Sequence, residues 1–101
     1  MKLKRIKQLK LPSFTFNVTW DKSHAGGSFD YDAKELIIGT RWDEDHMFNT
    51  ICHELWEIVS IEHGVRLSRP DVEDDYIWVY DHRQHMSMCS MFSGLVREFI
   101  V

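Results

Sequence analysis

The chain has 101 residues, of which 44% are hydrophobic and 28% charged, and its formal net charge is −4. This length allows one domain, residues 1–101, and excludes an active-site cleft built between two domains. The acidic balance disfavours a protein that binds nucleic acid or an anionic membrane over its whole surface, and the aromatic content of 13% argues against a disordered chain.

The first forty residues contain short segments in which hydrophobic and polar side chains alternate. Alternation over residues 14–20 predicts a half-buried strand, and two further strands are expected around Phe29 and over residues 36–38. The segment before Pro12 is either a strand that pairs with 14–20 or a frayed start. These segments together predict a small, mainly antiparallel sheet.

A helix is predicted from about residue 42 to residue 63. Acidic residues at 43–45 suit a helix N-terminus, and Gly64 follows where the helix is expected to stop. Hydrophobic side chains recur between these ends at steps of three and four residues, namely Phe48, Ile51, Cys52, Leu55 and Val59.

A loop over 66–75 and a strand over 76–80 are predicted next, followed by a second helix. Asp81 and Gln84 have the spacing of a capping box that begins this helix. Its core-facing stripe is expected to consist of His82, His85, Cys89, Phe92, Val96 and Phe99. The predicted fold class is therefore α+β, with a small sheet and two long helices in a single domain.

The cysteines and the hydrophobic patterning bear on the cellular compartment. Cys52 and Cys89 are too few for a disulfide scaffold, so both are expected to be reduced and buried. The basic N-terminal segment lacks the hydrophobic stretch of a signal peptide, and no hydrophobic run is long enough to span a bilayer. These features predict a cytoplasmic protein.

The residues that are most informative about chemistry are His53, Glu54 and Glu57. Side chains four positions apart lie on one face of a helix, so His53 and Glu57 can direct an imidazole and a carboxylate at one metal ion. Glu54 lies about 100° around the helix from His53, where it can approach a water molecule without being a ligand. Ligands, an open position and a carboxylate base are what a hydrolytic zinc centre requires.

A third ligand is expected from the second helix. His85 is favoured because it lies one turn inside that helix, whereas His82 occupies the frayed first turn. His82 could instead contact a metal ligand and fix that ligand's orientation. This prediction requires the two helices to pack antiparallel.

The order of strands, a helix with an HExxE pattern, a loop and a second ligand-bearing helix resembles the core of the zincin metallopeptidases. It is most similar to small, often phage- or prophage-borne proteins that carry an HExxE form of the HExxH motif, and the resemblance extends from about Ile6 onward. It implies that His53 and Glu57 are metal ligands and that Glu54 is the general base. The implied metal is zinc, although two histidines and one carboxylate also suit Fe²⁺ or Mn²⁺.

The resemblance also implies where a substrate lies. In zincins an edge strand lines the cleft and pairs with an extended peptide, and the strand in this position is formed by Leu36, Ile37 and Ile38. Tyr80 is a weaker candidate for donating a hydrogen bond to an oxyanion. The implied function is a metal-dependent hydrolase of the metallopeptidase type.

Other interpretations of the same residues stay open. His53 and Glu57 can instead hydrogen-bond each other in a polar core. The protein would then be a non-catalytic interaction or structural module, for example one with a phage-related role. The basic N-terminal segment could bind nucleic acid, but the favoured interpretation is that its lysines protect an edge strand from aggregation. Trp42, Trp56 and Trp78 are candidates for a dimer interface, although packing is the favoured expectation for Trp56. The acidic run at 71–75 is expected to be a solvated loop, and three histidines are expected to lie at the surface: His24, His46 and His63.

Overall fold

The computed structural model describes residues 2–73 and 75–101 and combines a four-stranded sheet, a β-hairpin and two helices. The strands of the sheet are β1 (Gln8–Lys10), β2 (Thr15–Asp21), β3 (Gly27–Asp30) and β4 (Glu35–Gly39). The helices are α1 (Glu44–Glu62) and α2 (His82–Arg97), and the hairpin is formed by β5 (Arg66–Ser68) and β6 (Tyr76–Trp78). The predicted α+β class with a mainly antiparallel sheet is confirmed.

The strands of the larger sheet lie in the order β1-β2-β4-β3. β4 pairs in parallel with β2 on one side and antiparallel with β3 on the other, so its backbone donors and acceptors are engaged along both edges. The prediction that Leu36, Ile37 and Ile38 form an edge strand is therefore wrong, and these residues cannot pair with a peptide. The strand at the edge beside β4 is β3.

Helix α1 begins and ends close to the predicted positions. The Asp43 side chain accepts a hydrogen bond from the backbone N–H of His46, and Gly64 follows the helix with a left-handed φ of 67°. The buried face of α1 packs on the sheet and on α2. Its fully buried hydrophobic residues are Ile51, Leu55, Ile58 and Val59.

Helix α2 begins with the predicted capping box between Asp81 and Gln84. Its buried residues, however, are Met88 and Leu95, whereas the side chains expected to lead the core-facing stripe are exposed: His82, His85 and Cys89. The predicted stripe is thus wrong in its first half, and Cys89 is not buried; Cys52 is half-buried. The reason is that the buried face of α2 includes Met88 and Leu95, each one position before a residue of the predicted stripe, and both are more hydrophobic than the histidines.

The two helices pack antiparallel. The imidazole Nε2 of His63, at the end of α1, lies 2.9 Å from the hydroxyl of Ser87 near the beginning of α2. Trp56, seven residues earlier on α1, packs edge-on against Phe92, five residues later on α2, with ring centroids 5.3 Å apart. The predicted packing of Trp56 is confirmed, and these two contacts fix the register of the helices.

The hairpin was predicted in part. The strand β6 falls within the predicted strand over 76–80, but β5 lies in the segment expected to be a loop. β5 has three residues, too few for its hydrophobic alternation to be recognised. The predicted acidic loop at 71–75 includes Asp74, which lies outside the described residues.

Among the described residues, neither helix has the length and apolar character needed to cross a membrane.

Candidate metal centre

His53, Glu54 and Glu57 come together on the side of α1 that faces β3 and the hairpin. Each offers a ligand atom, and these atoms all lie within 4.8 Å of one another. His53 Nε2 lies 2.9 Å from Glu57 Oε2, which is the contact predicted from the four-residue spacing. The His53 side chain is 70% exposed and that of Glu57 18%, so the cluster lies where the protein interior meets solvent.

Glu57 has a second partner that the sequence did not indicate. The guanidinium of Arg66, on β5, donates a hydrogen bond of 3.0 Å to Glu57 Oε1, and its Cζ lies 3.9 Å from the centroid of the Tyr76 ring. Arg66 is therefore fixed by an ion pair and by an aromatic face. Because β5 was expected to be a loop, no sequence pattern assigned Arg66 to this cluster.

Glu54 is the most unusual member of the cluster. Its residue is only 6% exposed. Burial raises the pKa of the Glu54 carboxyl, as does the neighbouring Glu57 carboxylate, while His53 and Arg66 lower it less. Within the described residues no donor forms a hydrogen bond with this carboxylate. No fully buried side-chain oxygen among these residues lacks a partner, so the Glu54 oxygens reach the solvent of the pocket while the rest of the residue is enclosed. This partial burial disfavours the charged form, so stability does not explain a carboxylate at this position.

The space in front of Glu54 is an open pocket of about 400 Å³ between α1 and the strand β3. The residues that line it are Gly26, Gly27, His46, Asn49, Thr50, His53 and Glu54. A Cβ atom on Gly27 would lie 2.8 Å from Thr50 Cγ2 and 3.2 Å from Glu54 Cγ. The absence of a side chain at Gly27 therefore allows β3 to pass directly against the stem of Glu54.

His46 is exposed, as predicted, and it also lines this pocket. Its Nε2 lies 2.8 Å from the carbonyl oxygen of Ala25, so the ring ties the N-terminal turn of α1 to the loop before β3. The seven-residue spacing from His46 to His53 corresponds to two helical turns on one face, and this spacing could have linked them. His63 also has partners, Ser87 and the Val59 carbonyl, whereas His24 is exposed beside Asp21.

A larger pocket, of about 530 Å³, lies further along the same side of the molecule. Arg66 and Tyr76 of the hairpin line it together with Ile61 of α1 and Phe29 of β3. Glu57 is bonded to Arg66, so the cluster of His53, Glu54 and Glu57 touches a lining residue of this second pocket as well. Both pockets thus open along β3 and α1.

The structure does not bring His85 to His53 and Glu57. The helices have the predicted antiparallel orientation, but their register places His53 opposite the C-terminal part of α2, about 15 Å along the helix axis from the level of His85. His85 is exposed and stacks on Tyr80, with ring centroids 5.9 Å apart, and on His82 at 6.4 Å. The predicted third ligand, its alternative and the predicted oxyanion donor therefore lie together at a different place.

Comparisons of the chain with protein-family models, with curated proteins and with solved structures gave no match.

The donor atoms of the cluster are compatible with a divalent metal ion. One imidazole nitrogen and two carboxylates suit Zn²⁺, and they suit Fe²⁺ or Mn²⁺ as well. The fit rests on Glu54, whose carboxylate faces an open pocket within 4.8 Å of the His53 and Glu57 donor atoms and forms no hydrogen bond with the described residues. A positive ion at this point would compensate that carboxylate.

Proposed function

We propose that this protein binds one divalent metal ion, with zinc as the favoured metal, and uses it to hydrolyse a peptide bond. His53 and Glu57 hold the ion, and Glu54 is the general base. The observation that supports this assignment is the position of the Glu54 carboxylate, which faces an open pocket from a mostly buried residue and lies within 4.8 Å of both ligand atoms.

The roles of the side chains follow from their contacts. Arg66 holds Glu57 Oε1, which leaves Glu57 Oε2 and His53 Nε2 as the donor atoms for the ion. When bound, the metal would polarise the scissile carbonyl and make water a better nucleophile. Glu54 accepts the proton of the attacking water, and its raised pKa places it closer to neutral pH, where a general base is most effective.

The substrate is proposed to be an extended peptide that lies along β3. No described strand pairs with the outer edge of β3, which lies beside the cluster, whereas residues 36–38 of β4 are paired on both sides. The pockets at the two ends of β3 offer space for side chains on either side of the reacting bond. An added strand would gain main-chain hydrogen bonds from β3 and selectivity from the pockets.

The experiment that tests metal binding is the metal content of protein purified without a nickel column. We expect close to one metal ion per chain in the wild type and loss of the metal in His53→Ala and in Glu57→Ala. His24→Ala is the matched control, because His24 is an exposed histidine outside the cluster. His85→Ala should also keep its metal, and His46→Ala will show whether the pocket imidazole contributes. Wild-type protein that binds no metal even after zinc is added would refute the proposal.

Catalysis is tested separately with Glu54→Gln. Because Glu54 is assigned as the base and not as a ligand, this variant should keep its metal and lose turnover of a peptide library. A variant that retains turnover would show that Glu54 is not the base. Loss of metal from the same variant would make Glu54 a ligand instead.

A second candidate function is a non-catalytic interaction module, and two observations favour it. Both oxygens of Glu57 are already engaged by His53 and Arg66, so this pair is satisfied without a metal. The hairpin also exposes Leu67 and Ile77, which face each other across the two strands and are 47% and 43% exposed. An absence of bound metal together with association through this apolar pair would favour this function.

The proposed location is the cytoplasm. Cys52 and Cys89 are both free thiols, and Cys89 is exposed. An exposed free thiol is better preserved in a reducing compartment, where disulfides are rare.

A further inference from the structure

We infer that the first turns of α2 carry a second metal site, specific for thiophilic ions, that is formed by Cys89, His85 and His82. This site is independent of the proposed function, because it shares no residue with His53, Glu54 and Glu57. It gives a role to His82, His85 and Cys89, which were predicted to lie in the core and are exposed in the structure.

The pair at the centre of this site is already in contact. His85 Nε2 lies 3.6 Å from the Cys89 sulfur, and the two residues are four positions apart on α2. An imidazole nitrogen and a sulfur at this separation can bind the same ion with small changes of side-chain torsion, since zinc bonds to nitrogen and sulfur are about 2.0–2.3 Å long.

His82 must move to complete the set, because the donor atoms of these three residues do not all lie within 4.8 Å of one another. It precedes His85 by three residues, so the three side chains follow one face of the helix over two turns. The His82 and His85 rings are stacked with centroids 6.4 Å apart, and both are exposed, so His82 can rotate toward the sulfur without a steric cost from the core. Tyr80 lies nearly parallel to the His85 ring, at an angle of 12°, and restricts its orientation.

The chemistry of this set differs from that of the first cluster. One thiolate and two imidazoles prefer Zn²⁺, Cu⁺ or Cd²⁺, whereas the first cluster, with an imidazole and a carboxylate as ligands, also accepts harder ions. Binding requires the thiolate, so coordination by Cys89 releases its proton to solvent without any change of oxidation state. The remaining coordination position is open to water or to a ligand from a partner molecule.

The test is a titration of the full chain with Co²⁺ in the presence of a phosphine reductant, followed by absorption spectroscopy. A thiolate bound to Co²⁺ gives a charge-transfer absorption that a site of histidine and glutamate cannot give. We expect this absorption in the wild type, its loss in Cys89→Ser, and an apparent affinity roughly tenfold or more weaker in His85→Ala and in His82→Ala.

The controls separate this site from other sources of the signal. Cys52→Ser should keep the absorption, since Cys52 is on α1 and is half-buried. His53→Ala should also keep it, so a failure of the first metal centre does not affect this result. The inference is overturned if the wild type shows no thiolate absorption, if Cys89→Ser retains it, or if one ion binds per two chains.

Discussion

Replacement of Gly27 by alanine tests the close approach of β3 to α1 that forms the pocket. The added Cβ would lie 2.8 Å from Thr50 Cγ2, 2.9 Å from the Ile37 carbonyl oxygen and 3.2 Å from Glu54 Cγ. Two of these neighbours are side chains that can rotate away. The Ile37 carbonyl belongs to β4, which is paired on both sides, so relief of that contact requires movement of the backbone.

The expected loss of stability follows from these contacts. Overpacking of this kind costs about 1–3 kcal/mol, while alanine recovers about 0.5–1 kcal/mol relative to glycine within a strand. We therefore expect Gly27→Ala to lower the free energy of unfolding by about 0–2.5 kcal/mol, with a central value of about 1 kcal/mol. Because the clash displaces the Glu54 stem, any hydrolytic activity should fall further than metal affinity.

The matched control is Gly26→Ala, one residue earlier. A Cβ at Gly26 meets no atom within 4 Å, so this variant should be neutral or more stable by up to about 1 kcal/mol. Urea unfolding followed by circular dichroism measures both variants. If Gly27→Ala is as stable as Gly26→Ala, β3 does not approach α1 as described and the pocket geometry is wrong.

Three further substitutions test other parts of the structure. Burial raises the pKa of Glu54, so its ionisation disfavours the folded state as pH rises past the ordinary glutamate value. Glu54→Gln should therefore be more stable than the wild type by about 1 kcal/mol near pH 7, with a smaller difference near pH 4, as judged by urea midpoints. Burial, with the nearby Glu62, raises the pKa of Tyr31, so wild-type stability should fall above about pH 10, where unfolded tyrosine ionises, and Tyr31→Phe should remove this alkaline loss in thermal melts. Gly94→Ala, at an exposed position of α2 with open space around it, should raise stability by about 0.5–1 kcal/mol, and an unchanged or lower melting temperature would contradict this assignment.

Features set by neighbouring residues could be predicted from the sequence. The ends of both helices depend on local caps, and Asp43 and the Asp81–Gln84 pair lie at the expected positions. The contact between His53 and Glu57 follows from helix geometry alone, so it was predicted at the level of the residue pair. These predictions required no knowledge of how distant segments pack.

Features set by long-range packing could not be predicted in the same way. The position of β4 between β2 and β3 depends on which strands pair, and hydrophobicity alone does not distinguish an edge strand from a central one. The register of the two helices depends on which side chains interdigitate, here Trp56 with Phe92. A difference of a few turns in this register separates His85 from His53.

The stripe on α2 shows a third reason for an incorrect prediction. A helix with hydrophobic residues on two adjacent rows offers two candidate faces, and a period of three and four residues fits both. Histidine and cysteine are found both in cores and at surfaces, so their presence did not decide between the rows. Met88 and Leu95 gain more from burial than His85 and Cys89, and the helix is rotated accordingly.

Glu54, and not Glu57, is the residue that distinguishes a metal centre from a structural ion-pair network. Glu57 is partly buried, and its contacts with His53 and Arg66 satisfy it with or without a metal. The Glu54 residue is more deeply buried, its carboxylate faces the pocket without a hydrogen bond from the described residues, and β3 has a glycine where the Glu54 stem needs space. If the network were only structural, a neutral residue at this position would be more stable. Stabilisation by Glu54→Gln together with loss of turnover would therefore mark a carboxylate retained for chemistry, whereas stabilisation without any function lost would leave Glu54 unexplained by the metal centre.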